Sequence, residues 1–358
     1  MRSNNLWTTE GISGVCQNEL TAGLVHRAVA AFAGRLVRQH DGSVGESREP
    51  GSRPKVVVAG DGRPLAAELL FAAAEAARWA GCDVIEQGDS ASGAVVASIR
   101  QIAAEGGLLV GNAPSETHTA SVSFFGHAGA PWSLHGSLDE VKASFDMGQS
   151  RPVRAAGASQ RRLIETEHGK LIQPGTLVLQ RGLRIVFDSA CRPLECRLRE
   201  LLSEQCQLIA PEPLPLSRPA PGKPTSPRPT IRQRREKMVA RQVIADAADV
   251  GIWVDGIGEA CTIIDDRGLA ILPDKLVAVL ARCPFDETEN SIDFVEGTTR
   301  EAAFHQFARN GATLAGDQQG RIWFRTTDGP PLLDALLTVV RLMTLLDATN
   351  QPLRKLVS

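Results

Sequence analysis

Four turns, each entered from an apolar run, hold most of the residues that can do chemistry. Asp255-Gly256-Ile257-Gly258-Glu259 sets two carboxylates on one short turn. Each offers an oxygen of the kind Mg²⁺ prefers, or simply caps the turn towards solvent. Gly316-Asp317-Gln318-Gln319-Gly320-Arg321 is a polar turn. Asp317 can accept from hydroxyls there, Gln319 can accept and donate, and Arg321 donates only. Gly60-Asp61-Gly62-Arg63 follows a strand-like run; a Gly-x-Gly in that place suits a phosphate cradle or a plain strand–helix turn. A fourth loop, after Gly107-Leu108-Leu109-Val110-Gly111, carries Ser115, Thr117 and His118. A hydroxyl beside an imidazole base is the makings of a nucleophile. Elsewhere, His26, His127, His135 and His305 lack metal-ligand spacing, and no Gly-x-Ser-x-Gly elbow supports a hydrolase.

The elements that must position these turns alternate between strand and helix. Residues 20–37 place Val25, Val29, Phe32 and Leu36 on one helical face. Lys55-Val56-Val57-Val58-Ala59 is a β-branched run of the buried parallel kind. An Ala-rich helix from Leu65 to Trp79, a strand at 82–85, a helix at 93–104 and a strand at 107–111 follow. Further on, strands are expected at 183–187 and 207–209 around a helix at 194–203. Others are expected at 249–254, 262–264 and 312–315, with helices at 273–281, 299–309 and 332–346. This rhythm predicts βαβ units and an α/β fold.

A chain of 358 residues exceeds one ordinary core. The pattern divides it into units over 1–150, 151–244 and 245–358. Between Pro211 and Pro229 lie eight prolines, which read as an extended connector. A net charge of -2 gives no footprint for nucleic acid or an anionic membrane. No apolar run reaches the ~20 residues of a spanning helix, and the first residues lack a signal-peptide core. Seven scattered cysteines without a CxxC pair read as reduced, mostly buried thiols, so a cytoplasmic protein is expected.

Several segments together resemble the α-D-phosphohexomutases (phosphoglucomutase/phosphomannomutase). Trp7-Thr8-Thr9-Glu10-Gly11-Ile12-Ser13-Gly14 is similar to that family's Phe-Gly-Thr-Asp-Gly-Ile-Arg-Gly, with Ser13 in the place of an active-site Arg. Val58-Ala59-Gly60-Asp61-Gly62-Arg63-Pro64 is close to Val-Gly-Arg-Asp-Gly-Arg-Pro and keeps Asp61 and Arg63. The run through Gly111 into Asn112-Ala113-Pro114-Ser115, with Phe124-Phe125-Gly126-His127 beyond, resembles the catalytic loop Thr-Ala-Ser-His-Asn-Pro. Ala113 occupies the position of the phosphoryl-carrying Ser. Residues 255–260 stand where the family has its metal loop, Asp-Gly-Asp-x-Asp-Arg; Ile257 offers no ligand there and Ala260 removes a guanidinium. Asp255 and Glu259 are then the remaining candidate Mg²⁺ ligands. Residues 316–321 stand at the sugar loop, Gly-Glu-x-Ser-Gly-His, and Pro211–Pro229 at a Phe-Pro…Pro-Asn-Pro segment. The resemblance implies three successive α/β/α domains with mixed, mainly parallel sheets. About a dozen residues follow Leu346, so the family's fourth domain is expected to be missing.

An alanine methyl cannot carry a phosphoryl group, and groups that act as a unit leave little activity once separated. The resemblance therefore implies a degenerate phosphohexomutase that binds a hexose phosphate or a partner protein. A second reading keeps turnover through a displaced nucleophile at Ser115, with Arg63 retained in the active site. A third is a structural subunit, a homo-oligomer or a partner of an intact mutase, leaning on the apolar segment 332–346.

Overall fold

The computed structural model describes residues 6–42, 52–111, 119–149, 155–162, 177–212, 230–282, 291–297, 299–326 and 329–357. The loop with Ala113, Ser115, Thr117 and His118, and most of the proline-rich segment, lie outside them.

The chain opens with β1 (Trp7–Thr8), β2 (Gly11–Val15) and α1 (Ala22–Gly42). Then come β3 (Lys55–Gly60), α2 (Pro64–Trp79), β4 (Asp83–Asp89), α3 (Ser92–Gln101), β5 (Gly106–Gly111), β6 (Thr119–Phe125), α4 (Leu138–Asp146) and β7 (Ser159–Arg161). Among the described residues the seven strands make one mixed sheet in the order β1-β2-β6-β5-β3-β4-β7. Its centre, β5-β3-β4, is parallel. Alternation decides which helix covers which face. Val56 and Val58 meet α1 and α2, whereas Val57 and Ala59 meet Val95 and Ile99 of α3.

The next elements are β8 (Arg184–Ser189), α5 (Arg192–Leu202), β9 (Gln207–Ile209), α6 (Ile231–Ala245), β10 (Val250–Val254) and β11 (Cys261–Ile264). They form a sheet ordered β11-β10-β8-β9, parallel except for its β11 edge. Val239 and Val243 of α6 seal one face; the α5 leucines Leu194, Leu198 and Leu201 seal the other. Here the expected division at 245 is corrected: β10 pairs in parallel with β8, Ile252 opposite Phe187, so that boundary would cut one sheet. A βαβ crossover through α6 spans it.

The last elements are α7 (Pro273–Leu280), β12 (Ile292–Phe294), α8 (Arg300–Asn310), β13 (Leu314–Gly316), β14 (Ile322–Thr326), β15 (Gly329–Leu333), α9 (Ala335–Thr349) and α10 (Leu353–Leu356). Their sheet, β12-β13-β14-β15, is parallel only between β12 and β13. It is thus mainly antiparallel, unlike the other two centres.

The apolar segment expected as one helix over 332–346 is two elements. Leu332 and Leu333 finish β15, and Asp334 caps α9 by accepting from the amides of Leu336 (2.6 Å) and Leu337 (3.1 Å). Both halves are apolar because both are core, so hydrophobicity could not mark the border; the one acidic residue does. The segment is not an unpartnered face either. Leu342, Met343 and Leu345 pack with Leu276, Leu314 and Phe324 in a cluster that joins the second and third sheets.

Candidate functional site

Three turns and one helix start meet in the middle of the molecule. The turn between β1 and β2 presents Glu10. Gly11 makes that turn possible: its φ is +142°, and a Cβ there would lie 2.2 Å from the Val122 carbonyl oxygen. Residues 255–260 connect β10 to β11. The Glu259 amide donates to Asp255 Oδ1 (2.8 Å), and Gly258 sits at φ +76°. Two helix starts donate into this loop from outside: the Ser92 amide to the Ile257 carbonyl (2.9 Å) and the Ala335 amide to the Gly258 carbonyl (3.0 Å). The turn 316–321 connects β13 to β14 and touches the same loop, because Arg321 and Ala260 form a β-bridge. The helix start is that of α8, where Thr299 caps by accepting from the Ala302 amide (3.1 Å) and Arg300 comes next.

These elements build a chain of ion pairs. Arg321 binds Asp317 (2.6 Å) and Glu10 (2.7 Å). Arg300 has no exposed surface. It reaches Glu10 Oε2 (3.4 Å) and Glu259 Oε1 (2.7 Å), donates to the Glu10 carbonyl (3.2 Å), and lies over the Phe125 ring at 5.6 Å. Ser92 Oγ donates to the same Glu259 oxygen (2.5 Å). The other carboxylate oxygen, Oε2, is buried and has no hydrogen-bond partner among the described residues.

The electrostatics follow from this arrangement. Burial alone would raise the Glu10 carboxyl, but the guanidiniums of Arg300 and Arg321 outweigh it and hold the group below its ordinary range. Burial, and then the Glu259 charge, push Asp255 up to about 7 against the backbone amides that favour its anion. Arg321 is held above its ordinary value, its burial outweighed by Asp317, Glu10 and Glu259.

Beside the ion pairs opens a cleft of about 620 Å³. Its hydroxyl lining comes from Thr8, Thr9, Ser13, Ser121, Ser123 and Thr230. Arg232, Arg321, Gln319 and Trp253 also face it. Arg232 is steadied by Glu236 (2.8 Å), by Thr262 Oγ1 (3.1 Å) and by the Trp253 ring, 5.0 Å away.

Of the residues singled out in the sequence, Asp255, Glu259, Gln319 and Arg321 come together around this cleft. Asp317 stands behind it, buried, and spends its carboxylate on Arg321 and on the amides of Gln319 (2.9 Å) and Arg321 (3.2 Å). Arg63 is turned away towards Asp61 (2.5 Å) and the Thr119 carbonyl (3.3 Å), against the ends of the strands that flank the loop 112–118. Ala113 and Ser115 fall in that loop, outside the described residues. Glu10 and Arg300 were missed by the sequence reading. One signal existed: a cation in the first turn of a helix opposes the helix dipole and calls for an acidic partner.

Mg²⁺ fits the 255–259 loop poorly. Among the described residues no three His, Cys, Asp or Glu side chains are grouped to hold a metal ion. Glu259 Oε1 is already shared by Arg300 and Ser92, which leaves Oε2 as the only oxygen of that side chain without a partner among the described residues.

Residues 4–145 match the family model "Phosphoglucomutase/phosphomannomutase, alpha/beta/alpha domain I". A phosphoglucosamine mutase of Brevibacillus brevis is 24% identical over 380 residues, covering 97% of this chain and 80% of that protein. These likenesses support the α-D-phosphohexomutase superfamily as what the chain resembles. Solved structures share the fold. A phosphoglucomutase/phosphomannomutase family protein from Burkholderia thailandensis superposes with a TM-score of 0.74 at 20% identity, covering 99% of this chain and 80% of that one. An Aspergillus fumigatus N-acetylphosphoglucosamine mutase, in complex with GlcNAc-6P and magnesium, gives 0.51 at 11% identity, covering 98% and 78%. Within the superfamily fold, the cleft lies where the turns of all three sheets converge. Among the described residues no helix is long and apolar enough to cross a membrane.

Proposed function

We propose that this phosphohexomutase-fold protein binds a hexose phosphate in the cleft and does not turn it over. The observation that carries the binding is the cleft itself. About 620 Å³ suits a ligand of hexose size, and six hydroxyl side chains with two guanidiniums suit one that is both polyhydroxylated and anionic. The GlcNAc-6P bound by the Aspergillus protein is of that class. Arg321 and Arg232 would face the phosphate, and Gln319 with Ser13 the sugar hydroxyls. The loss of turnover is read from Ala113, whose methyl group cannot accept a phosphoryl group in the serine's place.

The test is a coupled mutase assay with glucosamine 1-phosphate, glucose 1-phosphate and mannose 1-phosphate. It includes the bisphosphate activator and Mg²⁺, and runs beside calorimetric titration with the corresponding 6-phosphates. No turnover is expected, together with saturable binding that Arg232→Ala weakens about tenfold, the ~1.4 kcal/mol of one charge-assisted contact. Turnover abolished by Ser115→Ala would instead establish the displaced nucleophile. Absence of binding to any of the three would remove the ligand reading.

A further inference from the structure

We propose that the Arg300 guanidinium takes the place of a divalent cation at the 255–259 loop, so that the site is built around the chain's own cation. Three observations converge. First, Arg300 is entirely buried, and a buried guanidinium is kept only where anions and acceptors surround it. Second, what surrounds it is a set of hard oxygens: Glu259 Oε1 at 2.7 Å, the Glu10 carbonyl at 3.2 Å and Glu10 Oε2 at 3.4 Å. Oxygens of this type, with water, are what Mg²⁺ or Mn²⁺ takes as ligands. Third, these oxygens come from different turns, 10 and 255–260, and Arg300 from a third element. The guanidinium therefore performs the joining and neutralising role of a metal, while keeping one from entering. Burying a bare Glu259 beside Asp255 would otherwise set two like charges together in a dry place.

The proposal does not depend on a hexose phosphate being bound, and its test measures metal rather than sugar. Mn²⁺ binding is followed by electron paramagnetic resonance on the wild type, Arg300→Ala, Arg300→Lys and the double variant Arg300→Ala/Glu259→Gln. Thermal melts are run in EDTA and in Mg²⁺. The wild type and Arg300→Lys should bind no Mn²⁺ saturably, and their melts should coincide with and without Mg²⁺. Arg300→Ala should melt lower, gain one Mn²⁺ per chain and recover stability in its presence. The double variant should lose that binding. If Arg300→Ala does not fold alone, Mn²⁺ added during refolding should rescue it where Na⁺ does not. Stoichiometric Mn²⁺ binding by the wild type that Glu259→Gln abolishes would overturn the proposal. So would an Arg300→Ala protein that neither binds Mn²⁺ nor is rescued by it.

Discussion

Asp255 and Glu10 line the same cleft but titrate in opposite senses, because one lacks a cation and the other has two. The Asp255 carboxyl has an unfolded value near 3.8 and is pushed up to about 7 in the fold. Between these values the unfolded chain is ionised while the folded carboxyl keeps its proton. Stability therefore falls as pH rises through this window, and the penalty is complete above about 7. Asp255→Asn removes it while leaving an oxygen to accept from the Glu259 amide. The variant's melting temperature should pull ahead of the wild type from about pH 4 to pH 7 and keep a constant lead beyond, as scanning calorimetry across buffers would record. A lead independent of pH would show that Asp255 is ionised throughout. Glu10 behaves inversely: held below its ordinary 4.5, it adds stability above that value and loses it as pH drops. The resemblance to a family loop was what singled out Asp255 and Glu259, four residues apart on one turn. It could not find Arg300, which lies 41 residues from Glu259 and meets it only through the third sheet. Asp317 was legible as polar, but not as the inward support of Arg321; which way a turn residue points depends on the neighbouring loop.

At the scale of elements, the alternating pattern placed most strands and helices within a few residues, because buried parallel strands and Ala- or Leu-rich helices obey local rules. Val56 to Val58 and the buried alanines of α2 are examples. It failed where one apolar stretch served two elements, at β15 and α9. It also failed at sheet membership, since pairing β10 with β8 is a long-range fact. The same junction supplies a prediction. Asp334 caps α9 and sits tightly against α3: a Cβ on Gly93 would lie 2.0 Å from Asp334 Oδ2. Gly93→Ala must therefore push the cap away. It should cost more than Asp334→Ala, for which losing an N-cap is worth about 1 kcal/mol. Chemical denaturation of both variants measures the order. Equal losses would mean that α3 yields rather than the cap. The buried thiols of Cys82, Cys191, Cys206 and Cys261 act as small apolar residues in this packing. Cys82 and Cys261 are pushed up to about 12 by burial, which leaves them unreactive at neutral pH.

For the molecule as a whole, neighbouring residues at the start of α8 bind in different directions and hold the sheets around the cleft. Arg300 reaches Glu10 and Glu259, as described. Glu301 reaches the first unit instead, accepting from the amides of Ser133 (2.7 Å) and Ser137 (3.0 Å) and from the Ser137 hydroxyl. Gly136 leaves the room for it, since a Cβ there would lie 2.5 Å from Glu301 Oε2. On the other flank Arg100 of α3, its guanidinium lowered to about 10 by burial, donates to the carbonyls of Ala128 (2.9 Å) and Pro331 (2.5 Å). Two tethers thus join the first unit to the third. If α8 is a clamp, cutting the Glu301 tether should loosen the segment it grips without melting the sheets. Glu301→Ala strands two amides that had a charged acceptor, at a cost of about 2–4 kcal/mol. Glu301→Gln, which still accepts, should lose roughly half of that. Hydrogen exchange should quicken over 133–141 and the first turn of α8, while β3 and β5 keep their protection. Uniformly faster exchange would mean that the three sheets unfold as one unit and that the tether adds only to overall stability; unchanged exchange at 133–141 would mean that Glu301 grips nothing that needs gripping.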